Sequence, residues 1–361
     1  MREMIAANSA QWLAIGGLVI GFLFGAIVYR TNFCTMGSIS DMMTFGDKRR
    51  FRAWLIAAAT ALIGTQALDH FGIVQLSKSM YLAPTLNWFG NAVGGLMFGF
   101  GMVFAGGCAS RNLARVGGGD MRALVTLIVI GVFAYMAIGG LLGPVRAFLE
   151  QWTAVRLPGA NQGVGTQLAP FIRMPAKTAS WIVTGVLATA VVLYAFADSS
   201  FRASPVHVLS GIGVGICAVL GWALTGLAFD EFATRPTDPI SLTYVRPTGD
   251  ALEWLQRFTA GPLPGFGVAT VFGAVLGSMV MALAMGRFHL VGFSDTGDTV
   301  RSLIGAALMG VGGVMALGCT VGQAITGVST LAIGSFLTFV AILIGGIWGI
   351  MALERWLMSE A

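Results

Sequence analysis

The chain contains a series of long apolar segments, and this feature restricts its fold more than any other. About 20 apolar residues, each adding about 1.5 Å to a helix, cross the roughly 30 Å hydrocarbon layer of a membrane. Segments of this kind lie at 12–29, 53–68, 88–107, 123–143, 178–197, 206–229, 265–286, 302–318 and 328–352. We therefore predict an all-α polytopic membrane protein with about nine transmembrane helices, plus short re-entrant or interfacial helices.

The scarcity of charge supports this prediction. Only 10% of the 361 residues are charged and 56% are hydrophobic, whereas about a quarter of the residues in a soluble domain are charged. The net charge of +5 comes from basic residues in short loops, which argues against a nucleic-acid partner. Because no polar linker separates two cores, we predict a single membrane domain over residues 1–361.

The densest basic cluster of the chain predicts its orientation. Lys48, Arg49, Arg50 and Arg52 follow the first apolar segment, and basic loops tend to remain in the cytoplasm. The N-terminus is therefore expected outside and, with an odd number of crossings, the C-terminus in the cytoplasm. The first segment ends without a small-residue cleavage site, so we interpret it as a retained span. The polar stretch 230–239 is expected to form a surface loop.

Two glycine-rich segments of the chain are similar to each other. Residues 94–112 read GGLMFGFGMVFAGGCASRN and residues 305–323 read GAALMGVGGVMALGCTVGQ. A shift of 211 residues aligns Gly94, Gly99, Gly101, Ala105, Gly107, Cys108 and Asn112 with Gly305, Gly310, Gly312, Ala316, Gly318, Cys319 and Gln323. The alternative is two unrelated helices that share a packing stripe, because small residues are common where membrane helices meet.

We favour a duplication, since a Gly-Cys pair followed by a side-chain amide is harder to obtain by chance. A weaker match relates Gly17 and Gly21 to Gly211 and Gly215. The predicted halves are residues of about 10–200 and about 205–355. An odd number of spans in each half would oppose their topologies, and inverted repeats of this kind hold substrates near the membrane midplane.

Three cysteine motifs lie where an apolar segment gives way to small and polar residues. They are RTNFCTMG at 30–37, GGCASRN at 106–112 and GCTVGQAITG at 318–327. Arginine and asparagine beside apolar segments usually face a cavity or a partner, although each arginine could instead extend to lipid phosphates. The candidate substrate-binding and transport residues are Cys34, Cys108, Cys319, Arg30, Asn32, Arg111, Asn112 and Gln323. Cys217, which has no polar neighbour in sequence, is assigned no role.

The chemistry of the thiol indicates the cargo. A thiol is a weak donor and a polarizable acceptor, so three thiols suit an anion with a terminal sulfur better than sulfate or phosphate. Weak contacts also favour release. We expect neutral thiols; a thiolate persulfide relay is the alternative. His70, His207 and His289 lack ligand spacing and the chain has no P-loop, so we expect no metal, no cofactor and no ATP-driven motor.

At these motifs the chain resembles the YeeE/YedE family of sulfur-transport membrane proteins, and within it the thiosulfate transporters. The resemblance implies two pseudo-symmetric halves around an hourglass-like constriction, lined by loops that carry Cys34, Cys108 and Cys319. It also implies thiosulfate uptake across the cytoplasmic (inner) membrane, sometimes alongside a small cytoplasmic TusA-like sulfur-carrier protein. Other members of the family are linked to selenium or to unassigned sulfur compounds.

Three other functions compete with transport of a sulfur anion, and one of them is a structural role that anchors a sulfur-handling partner. A membrane sulfurtransferase would hold sulfane sulfur as a persulfide on Cys108 or Cys319, but no histidine flanks these thiols in sequence. A soft-metal channel would use cysteine and methionine as ligands, and Arg30 and Arg111 argue against a cation path. We therefore predict a transporter and not an enzyme.

Overall fold

Helices dominate the computed structural model of the chain, which describes residues 8–231, 237–261, 263–293 and 295–360. The first helices are α1 (Ser9–Thr31), α2 (Thr35–Thr44), α3 (Arg49–His70), α4 (Gly95–Phe104), α5 (Ala109–Gly117), α6 (Met121–Ile138), α7 (Gly143–Thr153), α8 (Val164–Ile172) and α9 (Ala176–Phe196). The remaining ones are α10 (Ser199–Arg202), α11 (Pro205–Ala228), α12 (Arg246–Gln256), α13 (Phe266–Ala284), α14 (Thr296–Met315) and α15 (Ile333–Glu360).

Short non-α elements connect these helices. Two strands of two residues each, β1 (Thr85–Leu86) and β2 (Val155–Arg156), pair antiparallel. The segments Gly90–Gly94 and Gly322–Gly327 are π-helical. In the polar stretch 230–239, residues 232–236 lie outside the described part of the chain, as do residues 1–7 at the predicted outer end.

The prediction of an all-α polytopic membrane protein is confirmed. Within the described residues, eight helical segments are long and apolar enough to cross a membrane. They are Ser9–Thr44, Arg49–His70, Gly90–Gly117, Met121–Ile138, Ala176–Phe196, Pro205–Ala228, Phe266–Ala284 and Ile333–Trp356. The ninth predicted segment, 302–318, overlaps α14, which has 20 residues. The N-terminal half of α14 carries Asp298 and Arg301, so it is less apolar than the other eight. The orientation of the termini stays a prediction.

Glycines allow the central helices to approach closely. α13 packs along α1, and α11 packs along α3. A Cβ atom at Gly21 would lie 2.3 Å from the carbonyl oxygen of Thr270, and one at Gly25 would lie 2.0 Å from that of Ala274. The two backbones therefore touch where a larger residue would hold them apart.

The two glycine-rich segments cross each other in α4 and α14. A Cβ atom at Gly94 would lie 2.7 Å from the oxygen of Gly312, and one at Gly312 would lie 2.7 Å from that of Gly94. Gly101 and Gly305 make the same reciprocal contact, at 2.6 Å in both directions. Reciprocal contacts of this kind are typical of elements related by a two-fold axis. The division into halves of about 10–200 and 205–355 stays a prediction.

Candidate functional site

Each of the three predicted cysteines lies at the N-terminus of a helical segment. The Cys34 thiol caps α2 by accepting the Gly37 N–H at 3.4 Å, and the Cys319 thiol accepts the Gly322 N–H at 3.4 Å. Cys108 is the residue before α5. Because helix N-termini carry unpaired N–H groups and partial positive charge, all three thiols lie where negative charge is favoured.

The backbone turns sharply before Cys108 and before Cys319 in the same way. After α4, the Gly107 N–H donates to the oxygen of Met102 at 2.8 Å; after α14, the Gly318 N–H donates to that of Gly313 at 2.8 Å. This six-residue closure is a Schellman cap, which ends a helix through a left-handed residue. Gly106 supplies that residue with φ of 69°, whereas in the second turn Leu317 adopts φ of 59°. The two broken helices thus present their cysteines by the same local geometry.

The structure brings the three cysteines together. The thiols of Cys34 and Cys108 lie close enough to interact directly. The Thr320 hydroxyl reaches the Cys108 thiol, and Cys108 and Cys319 lie close enough to interact electrostatically. The backbone N–H of Tyr244, just before α12, reaches the Cys319 thiol. All three thiols are buried and free, so residues from four separate parts of the chain meet at one buried cluster, which we call the thiol cluster (Cys34, Cys108 and Cys319).

Arg111 joins the first two motifs. Its Nη2 donates to Asn32 Oδ1 at 2.9 Å, and Asn32 ends α1 with φ of 53°, a left-handed conformation that asparagine tolerates. The Arg111 backbone N–H reaches the Cys108 thiol, and its guanidinium acts electrostatically on Cys34. This arginine therefore supplies positive charge beside two of the three thiols.

The side-chain amides of Asn112 and Gln323 donate hydrogen bonds to the backbone of the turns that precede Cys108 and Cys319. The Asn112 Nδ2 donates to the carbonyl oxygens of Gly107 and Cys108, at 2.8 and 3.3 Å. The Gln323 Nε2 donates to the carbonyl oxygen of Ala316. Both amides are buried, with 0% and 1% of their surface exposed. The amide that recurs in the two glycine-rich segments thus makes a hydrogen bond to the equivalent turn in each of them.

Arg30 and Cys217 lie apart from this cluster. Arg30 is exposed in the last turn of α1, and among the described residues no contact links it to a thiol. Cys217 is buried within α11, away from any helix end. Its position agrees with a packing residue.

An ion-pair network that the cysteine motifs did not predict lies beside the loop that carries Cys108. Arg115 Nη1 donates to the Gly106 oxygen at 3.0 Å and its Nη2 to Asp120 Oδ2 at 2.7 Å. Arg122 Nε also donates to Asp120, at 3.1 Å. Burial raises the pKa of Asp120, but the bonds from Arg122 and Arg115 outweigh it, so the net pKa lies below the usual value. The recurrence of arginine at 111, 115 and 122 was the available signal.

A polar cavity of about 220 Å³ borders the same loop. Its polar lining comes from α5, α6 and α14, with Ala105 and Gly106 of the loop at one edge. The charged residues in its wall are Arg115, Arg122, Asp298 and Arg301. We call this space the arginine cavity.

Fold and site together define a class: a polytopic α-helical membrane protein whose broken helices present buried thiols at their termini. The chain belongs to the Sulphur transport family, which it matches over residues 30–348. The resemblance to the YeeE/YedE family inferred from the cysteine motifs is thereby confirmed.

Two curated relatives are similar over nearly their whole length. "Thiosulfate transporter TsuA" of Spirochaeta thermophila is 29% identical over 332 residues, which cover 91% of this chain and 96% of that protein. "Thiosulfate transporter TsuA" of Escherichia coli K12 is 28% identical over 354 residues, 93% of each chain. "Probable transporter YedE" of the same bacterium is 35% identical over 107 residues, 29% of this chain and 24% of that protein.

Proposed function

We propose that this protein carries thiosulfate, or a closely related small sulfur-containing anion, into the cell across the cytoplasmic membrane. The anion passes a constriction lined by the thiols of Cys34, Cys108 and Cys319. The observation that carries the proposal is the meeting of these three buried thiols at three helix N-termini. The names of the two full-length relatives support the same cargo.

The two kinds of group at the site match the two ends of this anion. Thiosulfate has a polarizable terminal sulfur, toward which weak S–H donors can point. Its oxygens and negative charge are stabilised by helix N-termini and by the guanidinium of Arg111. Because thiol contacts are weak, the ion is not held so tightly that release becomes slow.

The other predicted residues have supporting roles in this proposal. Arg111 and Asn32 form a polar contact at the edge of the thiol cluster. Asn112 and Gln323 are positioning residues, since each bonds the turn before a cysteine. Arg30, exposed at the end of α1, attracts anions at long range.

The proposed architecture is two inverted halves with the N-terminus outside and the C-terminus inside. The reciprocal glycine contacts between α4 and α14 support it. The order of elements supports it as well: α1, α2 and α3 are followed by a broken helix, and α11, α12 and α13 are followed by another. A small cytoplasmic TusA-like sulfur carrier as the receiving partner rests on the family resemblance alone.

Uptake of labelled thiosulfate by cells that express single cysteine variants tests the proposal. Replacing Cys34, Cys108 or Cys319 by alanine is expected to lower uptake about fivefold or more, because each removes a contact worth about 1 kcal/mol and enlarges a buried site. Cys217→Ala, a buried cysteine outside the cluster, is the matched control and is expected to retain uptake. Retained uptake in the triple alanine variant would reject the thiol route.

The same variants separate transport from the sulfurtransferase alternative. A persulfide on Cys108 or Cys319 would add the mass of one sulfur atom to the intact protein after exposure to thiosulfate. We expect no such gain in the purified wild-type protein. A gain that disappears in the corresponding alanine variant would favour the enzyme.

A further inference from the structure

We propose that the arginine cavity is a second anion site, which takes a small oxyanion next to the Cys108 loop and holds it by its oxygens. This inference rests on the proposed function for the identity of the cargo. Its structural basis is separate, because none of the cavity's charged residues belongs to the thiol cluster.

The charges around the cavity are unbalanced in favour of an anion. Arg115, Arg122 and Arg301 contribute three positive charges, against two negative charges from Asp120 and Asp298. The net charge of this group is therefore +1. At about 30 Å³ per water molecule in the liquid, the cavity of about 220 Å³ has room for a small oxyanion with several waters.

The guanidinium groups retain donors that the protein does not use. The Arg301 Nε is buried without a hydrogen-bond partner among the described residues, while its Nη2 pairs with Asp298. Arg122 Nη1 lies 3.7 Å from Asp298 Oδ2, which is beyond hydrogen-bond distance. A buried charged donor without a partner is costly. An oxyanion in the cavity that drew the Arg301 side chain toward it would satisfy this donor through the planar fork geometry that arginine offers.

Arg115 connects the cavity to the thiol cluster. Its Nη1 donates to the carbonyl oxygen of Gly106 at 3.0 Å and to Asn112 Oδ1 at 3.1 Å. Asn112 in turn bonds the carbonyl oxygens of Gly107 and Cys108. An anion that attracts Arg115 therefore competes with the bonds that fix the Cys108 loop, so occupancy of the cavity and the position of Cys108 are linked.

The cavity lies at the membrane face where α1 ends. Residues 118–121, which precede α6, pair with residues 289–291, and the Tyr29 hydroxyl in the last turn of α1 donates to the nearby Arg287 oxygen at 3.3 Å. The basic cluster Lys48–Arg52 follows this end of α1. Under the predicted orientation, the cavity therefore faces the cytoplasm and receives the anion after it leaves the thiols.

Arginine recognises the oxygens of the anion, so the cavity is expected to bind sulfate as well as thiosulfate, unlike the thiol cluster. Arg301→Gln is the test variant, because it removes both the positive charge of the guanidinium and its unpaired Nε donor. Arg257→Gln is the matched control: Arg257 pairs with Glu253 one turn away on its own helix, as Arg301 pairs with Asp298, but it lies outside the cavity.

Thiosulfate flux is measured in right-side-out and inside-out membrane vesicles from the same cells. We expect Arg301→Gln to raise the half-saturating thiosulfate concentration about tenfold from the cavity face, about 1.4 kcal/mol, and to leave the other face unchanged. Arg257→Gln is expected to change neither. Unaltered affinity at both faces in Arg301→Gln would overturn the inference and leave the proposed function intact.

Two further measurements cover the remaining outcomes. If the wild-type protein moves no thiosulfate, the proposed function fails, and thermal unfolding in detergent with sulfate tests whether the cavity binds an oxyanion. A rise in Tm that is lost in Arg301→Gln supports the site, and the absence of a rise overturns it. The flux is also measured in vesicles with and without anionic lipid. If Arg301→Gln raises the half-saturating thiosulfate concentration only in vesicles with anionic lipid, the arginines bind lipid headgroups and the free-oxyanion site is rejected.

Discussion

Asn112 shows how one buried side chain can shape the candidate site without touching the cargo. Its amide donates to Gly107 and Cys108, and its oxygen accepts from Arg115. Among the described residues, the Gly107 carbonyl oxygen has no other donor, whereas the Cys108 oxygen also accepts the Asn112 backbone N–H at 3.0 Å and Arg115 Nη1 also donates to the Gly106 oxygen. The side chain thus fixes the turn that presents the Cys108 thiol.

We predict that Asn112→Leu lowers the free energy of unfolding by about 1–3 kcal/mol, the usual range when buried polar groups lose their partner. The reason is that the Gly107 carbonyl oxygen is left unsatisfied and Arg115 loses one of its acceptors. Thermal unfolding of the purified protein in detergent measures the effect. Asn8→Leu is the control, because Asn8 is exposed and its side chain makes no capping bond. Equal Tm values for the two variants would contradict this role.

At the residue scale, the sequence identified the cysteines because chemistry and position coincided in each motif. It did not identify Arg115 and Arg301 as neighbours, because they are 186 residues apart and meet only through the packing of α5 and α14 against the Cys108 loop. The role of Asn112 was also open, since its direction toward the turn depends on the Schellman geometry.

At the scale of elements, the crossing of α4 and α14 determines how closely the two broken helices approach. Gly101 and Gly305 face each other there with no room for a side chain. We predict that Gly101→Val destabilises the protein by about 1–3 kcal/mol or more, as overpacking usually does. Gly185→Ala is the control, because a Cβ atom at Gly185 in α9 would meet nothing within 4 Å. Detergent unfolding of both variants measures the difference; a stable Gly101→Val variant would contradict the close crossing.

The contact between α6 and α12 joins one hydroxyl group to two carboxyl groups. The Tyr135 hydroxyl lies 2.7 Å from Asp250 Oδ1 and 2.7 Å from Glu253 Oε2. Because the hydroxyl carries one hydrogen, the second short contact requires a proton on one of the carboxyl groups. Burial raises the pKa of Asp250, whereas the bond from Tyr135 lowers the pKa of Glu253. Asp250, on a helix outside the eight candidate spans, is therefore the carboxyl group of this pair that takes up a proton more readily.

This assignment predicts a pH dependence. A carboxyl group with a raised pKa in the folded state contributes its full stability below its unfolded pKa and loses it as pH rises through the folded value. Asp250→Asn, which copies the neutral form, is expected to raise Tm relative to wild type at neutral pH and to change it little near pH 4.

Asp47 provides the control of opposite sign. The hydrogen bond from Arg49 lowers its pKa, so its contribution is present above the unfolded pKa and is lost on acidification. Asp47→Asn is expected to lower Tm at neutral pH and to converge with wild type in acid. If Asp250→Asn behaved like Asp47→Asn, the proton assignment would be wrong.

At the scale of the whole molecule, most of the architecture followed from apolar segment length. Eight of the nine predicted segments correspond to candidate spans in the described residues. The exception, α14, carries Asp298 and Arg301 near its N-terminus, and both residues line the arginine cavity. Apolar length alone could not predict the breaks before Cys108 and Cys319, because these depend on local backbone geometry.

The central proposal for the whole molecule is that this protein moves a sulfur anion selectively. Uptake of labelled thiosulfate by the purified protein in liposomes, with excess external sulfate as competitor, tests this most directly. We predict that the wild-type protein takes up thiosulfate and that excess external sulfate does not suppress this uptake. Cys108→Ala is expected to lose the uptake, and Cys217→Ala is expected to retain it. Absence of uptake by the wild-type protein, or uptake suppressed equally by sulfate, would contradict a thiol route selective for sulfur anions.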